Sequence, residues 1–92
     1  MVNTLKIKNK GAYIAKATLT YSLNKRDYID TRSILSAQSY KFQYNKDSIN
    51  IIIRVEASAY KGYVFAELVK DQVVCYDIYG ALPNPKYTRV NC

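Results

Sequence analysis

Apolar and polar residues alternate with period two along almost the whole chain, which predicts strands. From Val2 to Lys8, Leu5 and Ile7 fall on one side, with Lys6 and Lys8, and Lys10 beyond them, on the other. That strand has a basic outer face. Gly11 opens the clearest case: Tyr13, Ala15, Ala17, Leu19, Tyr21 and Leu23 share one face, and Lys16, Thr18, Thr20 and Ser22 form much of the other. Helical spacing fits this stretch poorly, and its Thr and Tyr content suits a pleated surface. Asn24-Lys25-Arg26-Asp27 reads as a polar turn. Tyr28 to Leu35 is a weaker strand, and after Ser36–Gln38 the residues Tyr40, Phe42 and Tyr44 alternate with Lys41 and Gln43. Asn45-Lys46-Asp47 makes a tight connection into the next strand. There Ile49, Ile51, Ile53, Val55 and Ala57 face inward and Asn50, Arg54, Glu56 and Ser58 outward, with Ile52 alone breaking the pattern.

Tyr60-Lys61-Gly62 marks a loop tip. Tyr63 to Lys70 and Val73 to Tyr79 follow as strands around a turn at Asp71-Gln72. Gly80 to Pro85 is expected to lie outside any strand, because its two prolines remove ladder donors. Lys86 to Cys92 closes the chain as an edge strand. Seven or eight short strands and no helix predict an all-β protein, an antiparallel β-sandwich, forming one domain over residues 1–92. A domain this small has a thin core that a covalent staple would help. The longest apolar run, Ile51–Ile53 with its neighbours, is broken by Arg54, so no transmembrane helix is present.

Composition removes most chemistry. Histidine is absent, and with it the usual general base near neutral pH and the commonest metal ligand. Two cysteines cannot by themselves make a structural zinc site, which needs four ligands. The seven acids are scattered, with no EF-hand spacing. Two carboxylates brought together by folding would suffice for a glycosidase, but a domain of this size offers little cleft to hold them. The expectation is a non-catalytic protein without cofactor or metal.

Fourteen Lys and Arg against seven acids give a net charge of +7, which favours polyanionic partners such as anionic lipid headgroups, acidic glycans or nucleic acid. Solubility alone is the plainer reading of the same number. Ten tyrosines and no tryptophan suit sugar stacking, protein interfaces and membrane surfaces alike. Tyr13, Tyr21, Tyr40 and Tyr44 fall on inward faces and read as core, whereas Tyr60, Tyr63 and Tyr87 lie at loops or ends.

The cysteines are Cys75, inside an apolar strand, and Cys92, the last residue. A bridge between them would pin the final strand onto the strand holding Cys75, and closing such a loop stabilises by roughly 3 kcal/mol. The alternative is two unpaired thiols in a cytosolic protein. The bridge is expected here, and with it an oxidising, extracellular compartment. No signal peptide leads the chain, since Met1 runs straight into a polar, basic strand; a mature secreted chain with an added Met accounts for that.

Gly11-Ala12-Tyr13-Ile14-Ala15 resembles the Gly-Ala-Tyr-Val-Ala segment that opens the C-terminal domain of the cholesterol-dependent (thiol-activated) cytolysins. Ile49-Asn50-Ile51-Ile52-Ile53-Arg54-Val55-Glu56 is similar to the strand leading into that family's Trp-rich loop. Tyr79-Gly80 with Asn84-Pro85-Lys86-Tyr87 resembles its aromatic-Gly-Thr-Thr-Leu-Tyr-Pro segment. Three motifs in the correct order span roughly Lys8 to Val90. Short stand-alone relatives carry a Cys-x-x-x-Tyr-Gly segment and a terminal Cys, a layout that Cys75 to Gly80 and Cys92 fit.

The resemblance implies an elongated β-sandwich that binds a membrane through loops clustered at one end. Those loops would be Ala57–Tyr63, Gly80–Pro85, Ser36–Gln38 and Asn24–Asp27, with Tyr60, Lys61, Tyr63, Leu82 and Asn84 as ligand-binding residues. Ala57 stands where the toxins have their single Cys, and their three tryptophans are gone, leaving Tyr60, Tyr63 and Phe65 as the aromatics nearby. The Thr-Leu pair that recognises cholesterol falls near Leu82-Pro83, with no Thr. Cholesterol recognition and pore formation are therefore not carried over. The resulting expectation is a secreted module docking to a membrane surface, a glycan or a cell-surface protein. Its alternative is a structural protein that forms a homo-oligomer, or binds a protein partner, through a sheet edge or face. Nucleic acid is a third partner, disfavoured because the basic residues spread from Lys6 to Arg89 rather than sit in one segment.

Overall fold

A computed structural model describes residues 2–58 and 63–92. Eight strands form in chain order: β1 (Val2–Asn9), β2 (Ala15–Leu23), β3 (Arg26–Ile34), β4 (Ser39–Asn45), β5 (Ile49–Ala57), β6 (Tyr63–Leu68), β7 (Val73–Ala81) and β8 (Asn84–Val90). They build two four-stranded sheets, ordered β4-β1-β7-β8 and β3-β2-β5-β6. The two sheets pack face to face into a body of 38 × 26 × 17 Å. Alternation explains the core: Leu5, Ile7, Phe42, Val74, Tyr76 and Ile78 of the first sheet meet Ala15, Ala17, Leu19, Ile53, Val55 and Phe65 of the second. Tyr13 and Tyr44 are buried, as the pattern predicts, while Tyr21 and Tyr40 are half-buried against the core.

Four details depart from the pattern. One strand pair, β1 with β7, is parallel while the other pairs are antiparallel. A parallel pair needs a long crossover, and here most of the chain separates the two strands. Ile49 is 61% exposed rather than inward. Between the pairs Thr20–Ile52 and Ser22–Ile49, β5 carries one residue more than β2, and Asn50 takes a left-handed φ of 53°. That bulge reverses the side-chain parity beyond it, and Ile49 turns to the outer face.

Pro85 lies within a strand, contrary to expectation: β7 runs on to Ala81, and Gly80 pairs with Pro85. β8 is an edge strand, whose unpartnered side tolerates a residue without an N–H. Gly80 itself sits at φ +88°, and a Cβ there would stand 2.9 Å from the Asn84 carbonyl oxygen. The polar turn after β2 is tighter than expected. Asn24 and Lys25 both take positive φ (53° and 67°), and Arg26 already pairs with Leu23. Two left-handed residues make the type I′ geometry that matches strand twist.

Cys75 and Cys92 form a disulfide, which ties the end of the chain to β7.

Candidate functional site

The registers sort the connections into two poles. Ala15 pairs with both Ile34 and Ala57, and Asn9 sits beside Ile78. The β1–β2, β3–β4, β5–β6 and β7–β8 connections therefore all turn at one pole, the tip. The β2–β3, β4–β5 and β6–β7 turns lie at the other, with the starts of β1 and β7 and the end of β8. Asn24–Asp27 consequently belongs to the pole opposite the loops with which the resemblance had grouped it. Strand pairing, not residue type, decides which loops meet.

Segment 10–14 is the hub of the tip. The Ala12 N–H donates to the Gly80 carbonyl (3.0 Å), the Ser58 N–H to the Ile14 carbonyl (2.8 Å), and the Ser36 hydroxyl to the Gly11 carbonyl (2.6 Å). Each of the other three connections is thus bonded to it. Gly11 has a steric reason: a Cβ there would stand 2.5 Å from the Tyr13 ring. Tyr13 donates its hydroxyl to the Tyr79 carbonyl at 3.3 Å, and burial raises its phenol above the ordinary range.

Asn9 organises this hub, and sequence reasoning missed it. Wholly buried, it donates its side-chain NH2 to the carbonyls of Tyr13 (2.7 Å) and Ile34 (2.9 Å) and accepts from the Gly11 N–H (2.9 Å). Its signal was available. After Leu5 and Ile7, Asn9 is a polar residue at the third inward position, and a buried polar group needs partners.

What the tip presents is apolar and short of charge. Ile14 and Leu35 are each 46% exposed and Tyr63 is 56% exposed. Ala12, Ala37, Ala81, Pro83 and Asn84 are exposed, and Leu82 is half-buried against the core. Over the four tip connections the sequence has no acid, and its charges are Lys10 and Lys61. The opposite pole holds Lys25, Arg26, Asp27, Lys46, Asp47, Lys70 and Asp71. Of the residues singled out from sequence, Tyr63, Leu82 and Asn84 lie at the same pole, the tip, and Tyr60 and Lys61 lie outside the described residues. Ile14 and Leu35 were not singled out.

Two aromatics pack against each other where β6 meets β8, and one of them is buried. Phe65, read as an aromatic near the tip loop, is buried, with its ring stacked on Tyr87 at 4.2 Å and tilted against Tyr76 at 4.8 Å. Tyr87, read as lying at a loop or end, stays 38% exposed on β8 while its ring stacks on Phe65 and its hydroxyl donates to Glu67 at 2.8 Å. Glu67 is half-buried on β6 and also accepts from the Tyr76 hydroxyl at 2.8 Å. One carboxylate thereby closes the open side between the sheets. Among the described residues, no group of three or more His, Cys, Asp or Glu comes together to hold a metal ion.

No family model and no curated protein matches this sequence. Solved structures do. The isolated membrane-binding domain of pneumolysin superposes over 100% of this chain and 98% of its own, with a TM-score of 0.67 at 14% identity. The fold is that of the cytolysin membrane-binding domain. The cytotoxin suilysin from Streptococcus suis contains the same fold, matched over 99% of this chain at a TM-score of 0.74 and 14% identity. A pneumolysin structure described as a sugar-binding protein aligns over 97% of the chain at a TM-score of 0.69 and 12% identity. The chain spans about a quarter of the length of these whole toxins, 23% in both cases. At such identities the likeness to the cytolysin domain establishes its architecture.

Proposed function

We propose that this protein is a non-catalytic, extracellular module that docks to a membrane surface through its apolar, acid-free tip. The observation that carries the reading is the polarity of the two poles. Exposed Ile14, Leu35 and Tyr63 share one end with no acid in its connections, and the acids and bases of the turns crowd the other. An aqueous role gives no reason to gather apolar side chains at loop ends, whereas an interface does. The likeness to a domain described as membrane-binding supports the same end, and the disulfide suits an oxidising compartment. The Thr-Leu pair is absent at Leu82-Pro83, so docking is expected without cholesterol recognition and, with this domain alone, without pore formation.

Magnitudes make the docking reversible. Moving three or four part-exposed side chains out of water gives about 1 kcal/mol each, hence binding on the order of millimolar. The net charge of +7 adds attraction to an anionic leaflet, about 1 kcal/mol for each basic residue brought near its surface. The test is co-sedimentation with phosphatidylcholine vesicles, with and without anionic lipid and with and without sterol. The expected result is binding that strengthens with anionic lipid, ignores sterol, and disappears in Ile14→Asp/Leu35→Asp. No association with any of these vesicles at low salt overturns the reading.

One observation favours a protein partner instead. Ile29, Thr20, Ile52 and Leu68 lie in register across the outer face of the second sheet, with Ile29 72% exposed and Ile49 beside them. A stable dimer by light scattering that Ile29→Asp dissolves, and that the tip substitutions leave intact, would establish this second reading.

A further inference from the structure

The outer face of the first sheet carries a feature that the tip does not use. Outward positions on β1 are Thr4, Lys6 and Lys8, with Lys10 just beyond the strand. Lys41 on β4 stands directly opposite Lys6, and Cys75 on β7 flanks Lys6 from the other side. Because Cys75 faces outward, its bridge lays Asn91 and Cys92 along this surface as a wall. The result is an open groove of about 470 Å³ floored by four lysines.

Its charge is nearly uncompensated. Among the described residues Asp77 is the one acidic side chain lining the groove, and it is bonded to Lys10 at 2.8 Å. Among the described residues, Lys6, Lys8 and Lys41 make no ion pair. Alternate residues of a strand lie about 7 Å apart, and directly opposed residues about 5 Å, so three unpaired ammonium groups are held close together. Like charges directly opposite one another destabilise a sheet.

Edge protection accounts for Lys41, since β4 is an edge strand, but not for Lys6 and Lys8, because β1 lies between β4 and β7. Solvation alone is met more cheaply on the other sheet. There the equally interior β2 turns Thr18, Thr20 and Ser22 outward with a single Lys16.

We propose that this groove binds an acidic polysaccharide, a chain of sulfated or carboxylated sugars lying along β1. The groove is open and runs lengthwise, which suits a polymer and leaves a single small anion unenclosed. Lysines supply point charges without the planar fork by which arginine grips one phosphate, so they suit anionic groups spaced along a chain. Among the lining residues the aromatic is Tyr76, which is buried and offers no face for stacking nucleic-acid bases. Membrane lipid is the poorer occupant. With the tip against a bilayer the groove faces sideways, into the layer where surface glycans project; only this orientation rests on the docking reading above.

Heparin-affinity chromatography with a salt gradient, and titration with heparin fragments, provide the test. The triple variant Lys6→Gln/Lys8→Gln/Lys41→Gln is compared with Lys16→Gln/Lys25→Gln/Arg54→Gln, which removes the same charge from exposed positions elsewhere. Expected are retention of the wild type and early elution of the groove variant. Its slope of log affinity against log salt should be lower by about 3, one for each ammonium removed, with the control close to wild type.

Equal losses in the two variants would overturn the groove in favour of net charge. Tighter binding to single-stranded DNA than to heparin would overturn the glycan, as would no retention at low salt. Neutral vesicles keep the two sites distinguishable. The groove variant should still bind them, and Ile14→Asp/Leu35→Asp should still bind heparin.

Discussion

Tyr76 on β7 donates its hydroxyl to Glu67 on β6 at 2.8 Å, joining the two sheets across the side where they would otherwise part. The same carboxylate takes the Tyr87 hydroxyl, and the Phe65 ring fills the space beneath. Hydrogen bonds to a charged acceptor contribute more than neutral ones. Glu67→Ala strands a buried phenol and should cost about 2–3 kcal/mol in urea unfolding followed by far-ultraviolet circular dichroism. Glu67→Gln keeps an acceptor and should cost about half as much.

Alkaline stability follows from the same pair. Burial, and after it the Glu67 hydrogen bond and charge, push the Tyr76 phenol well above its ordinary range. For Tyr87 the Glu67 hydrogen bond is the leading cause. An unfolded phenol titrates near about 10, so between that value and the raised folded values the native state holds more protons than the unfolded one. The stabilisation is therefore fully present below about pH 10 and drains away as pH climbs through the folded values. Unfolding free energy measured from pH 8 to 11.5 should fall above pH 10, and Tyr76→Phe should flatten that fall. An unchanged slope in Tyr76→Phe would place its cause elsewhere.

Asn9 should prove the most sensitive polar residue in the protein. Asn9→Leu keeps the bulk but leaves two carbonyls and the Gly11 N–H without partners, at about 3 kcal/mol or more. Hydrogen exchange at the Gly11 and Ala37 amides should quicken in this variant beyond what its global stability explains. Uniform quickening across all strands would show that Asn9 supports the sandwich as a whole rather than the tip.

Lys25 and Ala37 hold left-handed backbone without being glycine, at φ 67° and 69°. Lys25 sits in the two-residue hairpin turn, and Ala37 in the turn that the Gln38 N–H closes onto the Leu35 carbonyl. Replacing either by glycine should raise thermal stability by about 0.5–1 kcal/mol, since a Cβ is penalised there. Calorimetry on Lys25→Gly, which lies far from the tip, tests the backbone effect free of any change in docking.

Much of the fold was legible because alternation is a strong signal when one face of each strand is buried. Leu5 and Ile7, Ala15 to Leu19, and Ile51 to Ala57 all point as their spacing says. Where reading failed, the missing information was non-local. Ile49 obeys the alternation in sequence and breaks it in space because one left-handed Asn50 shifts the register. Phe65 became buried, with Tyr87 stacked on it, only when β6 met β8 across the sheets. Asn24–Asp27 looks like any other polar loop, and nothing local says which pole it will occupy. Lys6 and Lys8 were visible as an outward row, but Lys41 joined them through the β1–β4 pairing.

Val2 and Cys92 both lie at the pole opposite the tip, Cys92 within the disulfide. Anchored by either terminus to a bead, a sensor surface or a fused protein, the molecule would stand upright and offer Ile14, Leu35 and Tyr63 to the solution. A tether there and the apolar tip cannot obstruct one another.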